Sequence, residues 1–134
     1  NLAFVHGSPH SNHEYLLPEL DAFVALERVL SSGADVLFCG HTHVPYVRKL
    51  DATNLHFSLV NDKKQENRSF TANLKQIINA GSVGEPRHGR PNATYVIYDT
   101  DTQLVTLREV TYNYQKTCTA IIELGLPAIF AWRL

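Results

Sequence analysis

Two short apolar segments, each followed at once by histidine and glycine, constrain the fold of this chain more than any other feature. Residues 2–5 lead into His6 and residues 34–39 lead into His41. Between them, apolar residues recur near helical spacing over residues 14–30, which predicts an amphipathic helix lying over a sheet. The order strand, helix, strand predicts a crossover unit in a mostly buried sheet and places the chain in the α/β class.

The composition is that of an ordinary globular domain. The chain has 134 residues, 44% hydrophobic and 19% charged, with a formal net charge of -1, and this length suits one domain with a real core. The 12 Lys and Arg residues are scattered and balanced by 13 acidic residues, so we expect no nucleic-acid surface. No apolar run approaches the ~20 residues that span a bilayer, and no signal peptide opens the sequence, so we expect no membrane partner and a cytoplasmic location.

The two cysteines, Cys39 and Cys118, both lie in apolar patterns. Such cysteines are typical of reduced, core-filling thiols in a cytosolic protein, although the sequence leaves a disulfide between them open. The oligomeric state is equally open, and the chain could form an oligomer.

The rest of the chain predicts short strands followed by two helices. Residues 93–98 and 104–111 form the clearest hairpin, joined by a polar turn at residues 99–102. Further strands are predicted at residues 46–50, 55–60, 69–74 and 76–79, with a hairpin tip at residues 61–68. Residues 114–126 and 127–134 are predicted as helices, because Gly125 and Pro127 interrupt the helical pattern.

The strongest local signal for chemistry is the pair His41 and His43 in a turn after a buried strand. Gly40 allows a tight turn before the pair, and Pro45 fixes the exit from it. A His-x-His pair can aim both imidazoles at neighbouring points, as a metal centre requires, although the same pattern alone also fits an ordinary surface pair. His6 ends the other apolar strand, so it either joins the pair beyond the carboxyl ends of the strands or bonds a loop backbone and binds nothing.

A third segment, residues 79–91, is rich in glycine, proline and arginine. Its backbone N–H groups and Arg87 or Arg90 could contact a phosphate. The alternative is a structural loop that braces the histidine loop. His10 and His88 also lie in loops near the candidate site, where each either contacts substrate or has a plain surface role.

Taken in order, Val5-His6-Gly7, Gly40-His41-Thr42-His43 and Asn79-Ala80-Gly81-Ser82-Val83-Gly84 resemble the late motifs of the calcineurin-like metallophosphoesterases. The resemblance spans almost the whole chain. It implies an α/β fold of the metallophosphoesterase type, a β-sandwich flanked by helices, of which residues 1–134 would be the C-terminal portion of a single domain.

The same resemblance implies a site with two divalent metal ions, manganese, iron or zinc, bridged by an aspartate. His6 and His41 would bind one ion, and His43 would bind the other. The family's remaining ligands lie in Asp-x-His, Gly-Asp and Gly-Asn-His motifs, none of which occurs in these 134 residues. We therefore expect the catalytic residues upstream of Asn1, at most one metal ion in this chain, and little activity from the chain alone.

The function implied by the resemblance is hydrolysis of phosphate mono- or diesters by a metal-activated water, with a small phosphate ester or nucleotide as substrate. Arg87, His10 and His88 are the expected substrate-binding residues, and Glu85 stands where glutamine is common in the family. Two alternatives remain. The three histidines could form a mononuclear zinc hydrolase with one open position, or the domain could be a noncatalytic interaction module derived from a phosphoesterase.

Overall fold

The computed structural model describes residues 1–53 and 74–134 and divides into two compact units. The first unit comprises Asn1–Cys39 and Val47–Ile78, and the second comprises Gly40–Tyr46 and Asn79–Leu134. The elements are β1 (Leu2–Phe4), α1 (Ala22–Ser31), β2 (Val36–Cys39), β3 (Tyr46–Asp51), β4 (Leu74–Asn79), β5 (Ala93–Tyr98), β6 (Val105–Val110), α2 (Tyr114–Glu123) and α3 (Ile129–Trp132). The strand predicted at residues 55–60 and the hairpin tip at residues 61–68 lie outside the described residues, as does all but the last residue of the strand predicted at 69–74.

The crossover unit predicted from the first two apolar segments is confirmed. Strand β1 pairs with β2 in parallel, with Leu2 opposite Val36 and Phe4 opposite Phe38, and α1 connects the two strands. The Phe4 and Phe38 rings are stacked, with centroids 4.7 Å apart. These strands belong to a four-stranded sheet of order β1-β2-β4-β3. Because parallel strands run in one direction, β1 and β2 end at the same edge of this sheet.

Helix α1 begins at Ala22, so the predicted start at residue 14 is wrong. Pro18 disfavours a helical conformation in the residue before it. Asp21 then caps the helix, because its Oδ1 atom accepts hydrogen bonds from the backbone N–H groups of Phe23, at 2.9 Å, and Val24, at 3.3 Å. The apolar residues before Asp21 follow the helical spacing by coincidence, and this cap sets the boundary.

The first unit has an apolar core. From α1, Ala25 and Val29 are fully buried, and because they are four residues apart they lie on one face of the helix. The other buried apolar residues in the described part of this unit are Leu16, Leu26, Ala34, Val36, Leu37, Cys39, Leu50, Ile77 and Ile78. Burial of this kind is the main source of stability in a small domain.

The second unit contains the predicted hairpin. Strands β5 and β6 pair antiparallel, with Ala93 opposite Val110 and Tyr98 opposite Val105. Asp99 closes the turn by accepting hydrogen bonds from the N–H groups of Asp101 and Thr102, both at 2.9 Å. These two bonds hold the pKa of the Asp99 carboxyl below its usual range.

The two terminal helices are confirmed, although both are shorter than predicted. Helix α2 ends before Gly125, whose φ of 69° is in the left-handed region that glycine tolerates. No disulfide joins the two cysteines, of which Cys39 is buried and Cys118 is half-buried. Among the helices of residues 1–53 and 74–134, none is long and apolar enough to cross a membrane.

Candidate metal centre

The backbone of the His41-Thr42-His43 turn is strained at both histidines. His41 has a φ of 62° and His43 a φ of 61°, and in the described part of the chain the only other non-glycine residue with a positive φ is Gln103. A left-handed conformation is unfavourable for a residue with a Cβ atom and persists where surrounding contacts hold it, often at functional sites. The contacts around this turn therefore determine whether it could serve as a ligand loop.

Asn79, the last residue of β4, supplies several of these contacts. Its side chain has no exposed surface. The Nδ2 atom donates to the carbonyl oxygen of Gly40 at 2.8 Å and to Oγ1 of Thr42 at 2.9 Å, and Oδ1 accepts from the N–H of Gly81 at 2.9 Å. The nitrogen and the oxygen of the Asn79 amide both have hydrogen-bond partners. Burying this polar side chain therefore avoids the free-energy cost of unpaired groups, and its bonds fix the turn.

Thr42 completes this network from inside the turn. The residue is 4% exposed, and its Oγ1 atom accepts a hydrogen bond from the N–H of Val44 at 3.1 Å. Its own N–H bonds the carbonyl oxygen of Gly40 at 2.6 Å. The middle residue of the turn is thus locked in place, while His41 and His43 on either side of it are only partly buried.

The imidazole of His43 is oriented by the neighbouring loop. Its Nδ1 atom lies 2.8 Å from the carbonyl oxygen of Glu85, and its own carbonyl oxygen accepts from the N–H of Arg87 at 3.1 Å. A carbonyl can only accept, so Nδ1 carries a hydrogen, and in the neutral ring Nε2 then keeps its lone pair. Metal-binding histidines are commonly held in this way, and the donor set at His43 therefore fits a metal ligand.

Gly81 and Thr94 anchor the segment that follows β4. A Cβ atom on Gly81 would lie 2.1 Å from Oγ1 of Thr94 and 3.1 Å from Pro45, and the φ of Gly81 is 76°. Thr94 is 3% exposed, and its Oγ1 accepts from the N–H of Ser82 and donates to the carbonyl oxygen of Ala80, both at 2.9 Å. These contacts support the interpretation of residues 79–91 as a loop that braces the histidine turn.

His6 lies in the first unit, on the segment that follows β1. The side chain is exposed, and the preceding residue, Val5, donates its N–H to the carbonyl oxygen of Phe38 at 2.9 Å, which extends the parallel pairing. Gly7 is buried, and a Cβ atom there would lie 2.6 Å from the carbonyl oxygen of Ser11. The chain after His6 therefore turns so tightly that only glycine fits.

A charged group stabilises the loop after His6. Ser8 donates to Oε2 of Glu14 and accepts from the backbone N–H of His10 at 3.0 Å and of Ser11 at 3.1 Å. Arg28 of α1 meets both carboxylate oxygens of Glu14, with Nε 3.0 Å from each. The bonds from Arg28 and Ser8 lower the pKa of Glu14 to about 2.

The three residues expected to bind substrate all have acidic neighbours. His10 is exposed, with Nε2 3.3 Å from Oε1 of Glu27 in the first unit. Arg87 is exposed, with Nη2 3.3 Å from Oε2 of Glu85. The side chain of His88 is nine-tenths buried, and its Nε2 lies 3.1 Å from Oε1 of Glu109 but does not meet it along a hydrogen-bond direction. Their contact with a substrate stays a prediction.

Residues 1–53 and 74–134 contain no group of three or more His, Cys, Asp or Glu side chains that could hold a metal ion by themselves. His6 lies in one unit, and His41 and His43 lie in the other, so their binding to a shared centre stays a prediction.

Sequence reasoning missed Asn79 as an anchor. The available signal was an amide residue at the end of an apolar strand, directly before Ala-Gly.

Comparison with known proteins identifies one family. The model of the calcineurin-like phosphoesterase superfamily domain matches residues 1–103. The uncharacterized protein MJ0912 of Methanocaldococcus jannaschii is 31% identical over 134 residues, which is 98% of this chain and 49% of the relative.

Solved structures resemble this one, two of them as follows. The metallophosphoesterase from Sphaerobacter thermophilus is 32% identical, with a TM-score of 0.73 over 97% of this chain and 52% of its own. The protein PH1004 of Pyrococcus horikoshii OT3 is 19% identical, with a TM-score of 0.66 over 92% of this chain and 41% of its own, a likeness that concerns the fold alone. The chain thus spans about half the length of the relatives it matches, and its mixed α/β fold is that of a metallophosphoesterase.

Proposed function

Because this chain belongs to the calcineurin-like phosphoesterase superfamily, we propose that it forms part of a metal-dependent phosphoesterase. In this proposal His6, His41 and His43 are metal ligands. The observation that carries it is the 2.8 Å contact between Nδ1 of His43 and the carbonyl oxygen of Glu85. In the neutral ring, that contact leaves the lone pair of Nε2 available for a cation, in a turn whose backbone is strained and hydrogen-bonded.

In this proposal, the residues around the histidine turn hold the metal-binding histidines in place and do not themselves react with the substrate. Asn79 and Thr42 fix the turn between the two histidines, and Glu85 fixes the ring of His43. Divalent ions bound there would supply Lewis-acid chemistry, drawing charge from a phosphate ester and acidifying water. Manganese, iron or zinc would suit ligands that mix imidazole with carboxylate.

The proposed substrate is a phosphate mono- or diester of a small molecule or a nucleotide. Arg87 and His88 on the bracing loop, and His10 on the loop after His6, would contact phosphate oxygens, since guanidinium and imidazolium groups bind such oxygens well. The balance of 12 basic and 13 acidic residues gives no support for a polymeric nucleic acid as substrate.

Two bound ions require carboxylates that residues 1–53 and 74–134 do not bring together with the histidines. Three neutral imidazoles provide no negative charge to offset two dications, and an aspartate bridge holds paired metals ~3.5–4 Å apart in two-metal sites. The family's Asp-x-His, Gly-Asp and Gly-Asn-His motifs would supply the bridge and the leaving-group acid. We therefore propose that the 134-residue polypeptide by itself binds at most one ion and turns over slowly.

The test combines metal content with hydrolysis of a nitrophenyl phosphate ester. The 134-residue chain is compared with the same chain extended at its amino terminus by a segment carrying the three motifs. One ion with negligible turnover in the short chain, and two ions with turnover in the extended chain, would support the two-metal account. One ion with robust turnover in the short chain, abolished by His41→Ala, would replace it with a mononuclear hydrolase. If neither the short nor the extended chain binds metal or hydrolyses the ester, a noncatalytic interaction module would be favoured.

A further inference from the structure

The carboxylate of Glu85 has three partners within the second unit. Its Oε1 atom lies 2.7 Å from Nη2 of Arg133, and its Oε2 atom lies 3.3 Å from Nη2 of Arg87 and 3.4 Å from Nδ1 of His43. The backbone of the same residue is also held, because its N–H donates to Oγ of Ser82 at 3.0 Å. Glu85 therefore presents both its carbonyl oxygen and its carboxylate to one ring nitrogen of His43.

We propose that Glu85 is a positioning residue for His43, and that Arg133, which follows α3, holds Glu85 in the position where it does this. The inference rests on the proposed function insofar as it concerns metal affinity. Its first consequence, the location of the hydrogen on the His43 ring, applies equally to the metal-free chain.

The geometry assigns different tasks to the two oxygens of Glu85. Arg133 binds Oε1 at the shortest of the three distances. That contact turns Oε2 toward the ring of His43, where its negative charge favours the hydrogen on Nδ1 and so leaves Nε2 as the nitrogen that would bind a cation. The carbonyl oxygen of Glu85 acts in the same direction from the backbone side.

Arg133 differs from Arg87 in where it is anchored. Arg87 lies two residues beyond Glu85, so their pair is internal to the bracing loop. Arg133 comes from a distant part of the chain, so its pair ties the loop to the segment after α3. Arg133 and Glu85 are partly exposed, at 43% and 30% of their side-chain surface, so this pair is expected to contribute less than the direct contacts of Glu85 with His43.

The first experiment measures the ¹⁵N resonances of the His43 ring in the metal-free chain at about pH 8, above the usual range of histidine titration. We expect the wild type to carry the hydrogen on Nδ1. Glu85→Gln and Arg133→Gln should each shift the tautomer population of His43 toward hydrogen on Nε2. Arg133→Lys should retain more of the Nδ1 tautomer than Arg133→Gln does. Arg108→Gln, at an exposed position of β6, makes the same charge change as Arg133→Gln and should match the wild type.

The double variant decides whether Arg133 acts through Glu85. If it does, the double variant Glu85→Gln with Arg133→Gln has the same tautomer population at His43 as Glu85→Gln alone. Three results would each overturn the proposal: additive changes in the tautomer population, a wild-type population in Arg133→Gln, or hydrogen on Nε2 in the wild type. If Arg133 has a purely structural role, Arg133→Gln changes the stability and leaves the tautomer population unchanged.

The second experiment titrates the same proteins with Zn²⁺ alone. Loss of a partner that orients a ligand weakens metal binding by about 10- to 100-fold, and we expect the lower end for Glu85→Gln. For Arg133→Gln we expect the affinity for Zn²⁺ to fall by about 2- to 5-fold, because the pair that it removes is partly exposed. Wild-type affinity in both variants would contradict the positioning role. If the wild type binds no Zn²⁺, the proposed function fails, and the ring resonances still decide the role of Glu85.

Discussion

The side-chain amide of Asn79 donates a 2.8 Å hydrogen bond to the carbonyl oxygen of Gly40. The end of β4 thereby holds the residue that directly precedes His41. The same amide bonds Thr42 and accepts from Gly81, so one buried side chain connects the histidine turn with the loop that braces it.

Asn79→Ala is expected to lower the free energy of unfolding by about 2–4 kcal/mol, because three hydrogen bonds are lost and buried partners are left unsatisfied. Urea unfolding measures this change. Asn92→Ala is a matched control, since within the described part of the chain the Asn92 side chain bonds only the exposed carboxylate of Glu109. This substitution should lower the free energy of unfolding by less than about 1 kcal/mol. Equal losses in the two variants would contradict the anchoring role of Asn79.

Gly81→Ala tests the close packing of the bracing loop. The new methyl group would meet Oγ1 of Thr94 at 2.1 Å in a residue whose φ is 76°, so both steric overlap and backbone strain oppose it. Gly89→Ala is the control, because its φ is 87° while nothing lies within 4 Å of the added atom. Thermal or urea unfolding should show a loss of about 1 kcal/mol for Gly89→Ala and at least about 2 kcal/mol for Gly81→Ala.

The ionised carboxylate of Glu14 should stabilise the first unit in a pH-dependent way. Its pKa falls from an ordinary 4.5 to about 2 in the folded chain, so the contribution is complete above about pH 4.5 and is lost as the pH falls toward 2. Glu14→Gln should cost about 1–2 kcal/mol at pH 7 and progressively less in acid. Glu19→Gln, an exposed control, should give no such pH-dependent difference from the wild type. A Glu14→Gln deficit that is constant from pH 7 to about pH 2.5 would exclude this mechanism.

Metal affinity should fall in acid if imidazoles are the ligands. A protonated imidazole cannot bind a cation, and histidine in unstructured peptides titrates near pH ~6.5. Titration of the 134-residue chain with Zn²⁺ should therefore give much weaker binding at about pH 5.5 than at about pH 8. Equal affinity at the two values would point to other ligands.

The parts of the fold that follow from local patterns were predictable from the sequence. Alternation of apolar residues predicts the β5–β6 hairpin, and two apolar runs separated by a helical pattern predict the parallel pair β1 and β2. The start of α1 was not predictable from the apolar spacing, because that spacing continues through Leu16 and Leu17. Pro18 and the Asp21 cap determine where the helix begins.

The contacts that hold the histidine turn depend on residues far apart in the sequence. Asn79 lies 39 residues from Gly40, and Glu85 lies 42 residues from His43. Periodicity and turn chemistry carry no information about such pairs. The motif identifies the histidines, whereas the geometry of the fold identifies the residues that orient them.

Calorimetric titration with Zn²⁺ of the wild type, His43→Ala and His13→Ala measures whether His43 binds metal. His13 is an exposed histidine on the loop before α1, so its removal controls for nonspecific binding by imidazole. We expect a single site in the wild type, unchanged in His13→Ala and weakened at least about 10-fold in His43→Ala. Binding of wild-type strength in His43→Ala would contradict the assignment of His43 as a metal ligand.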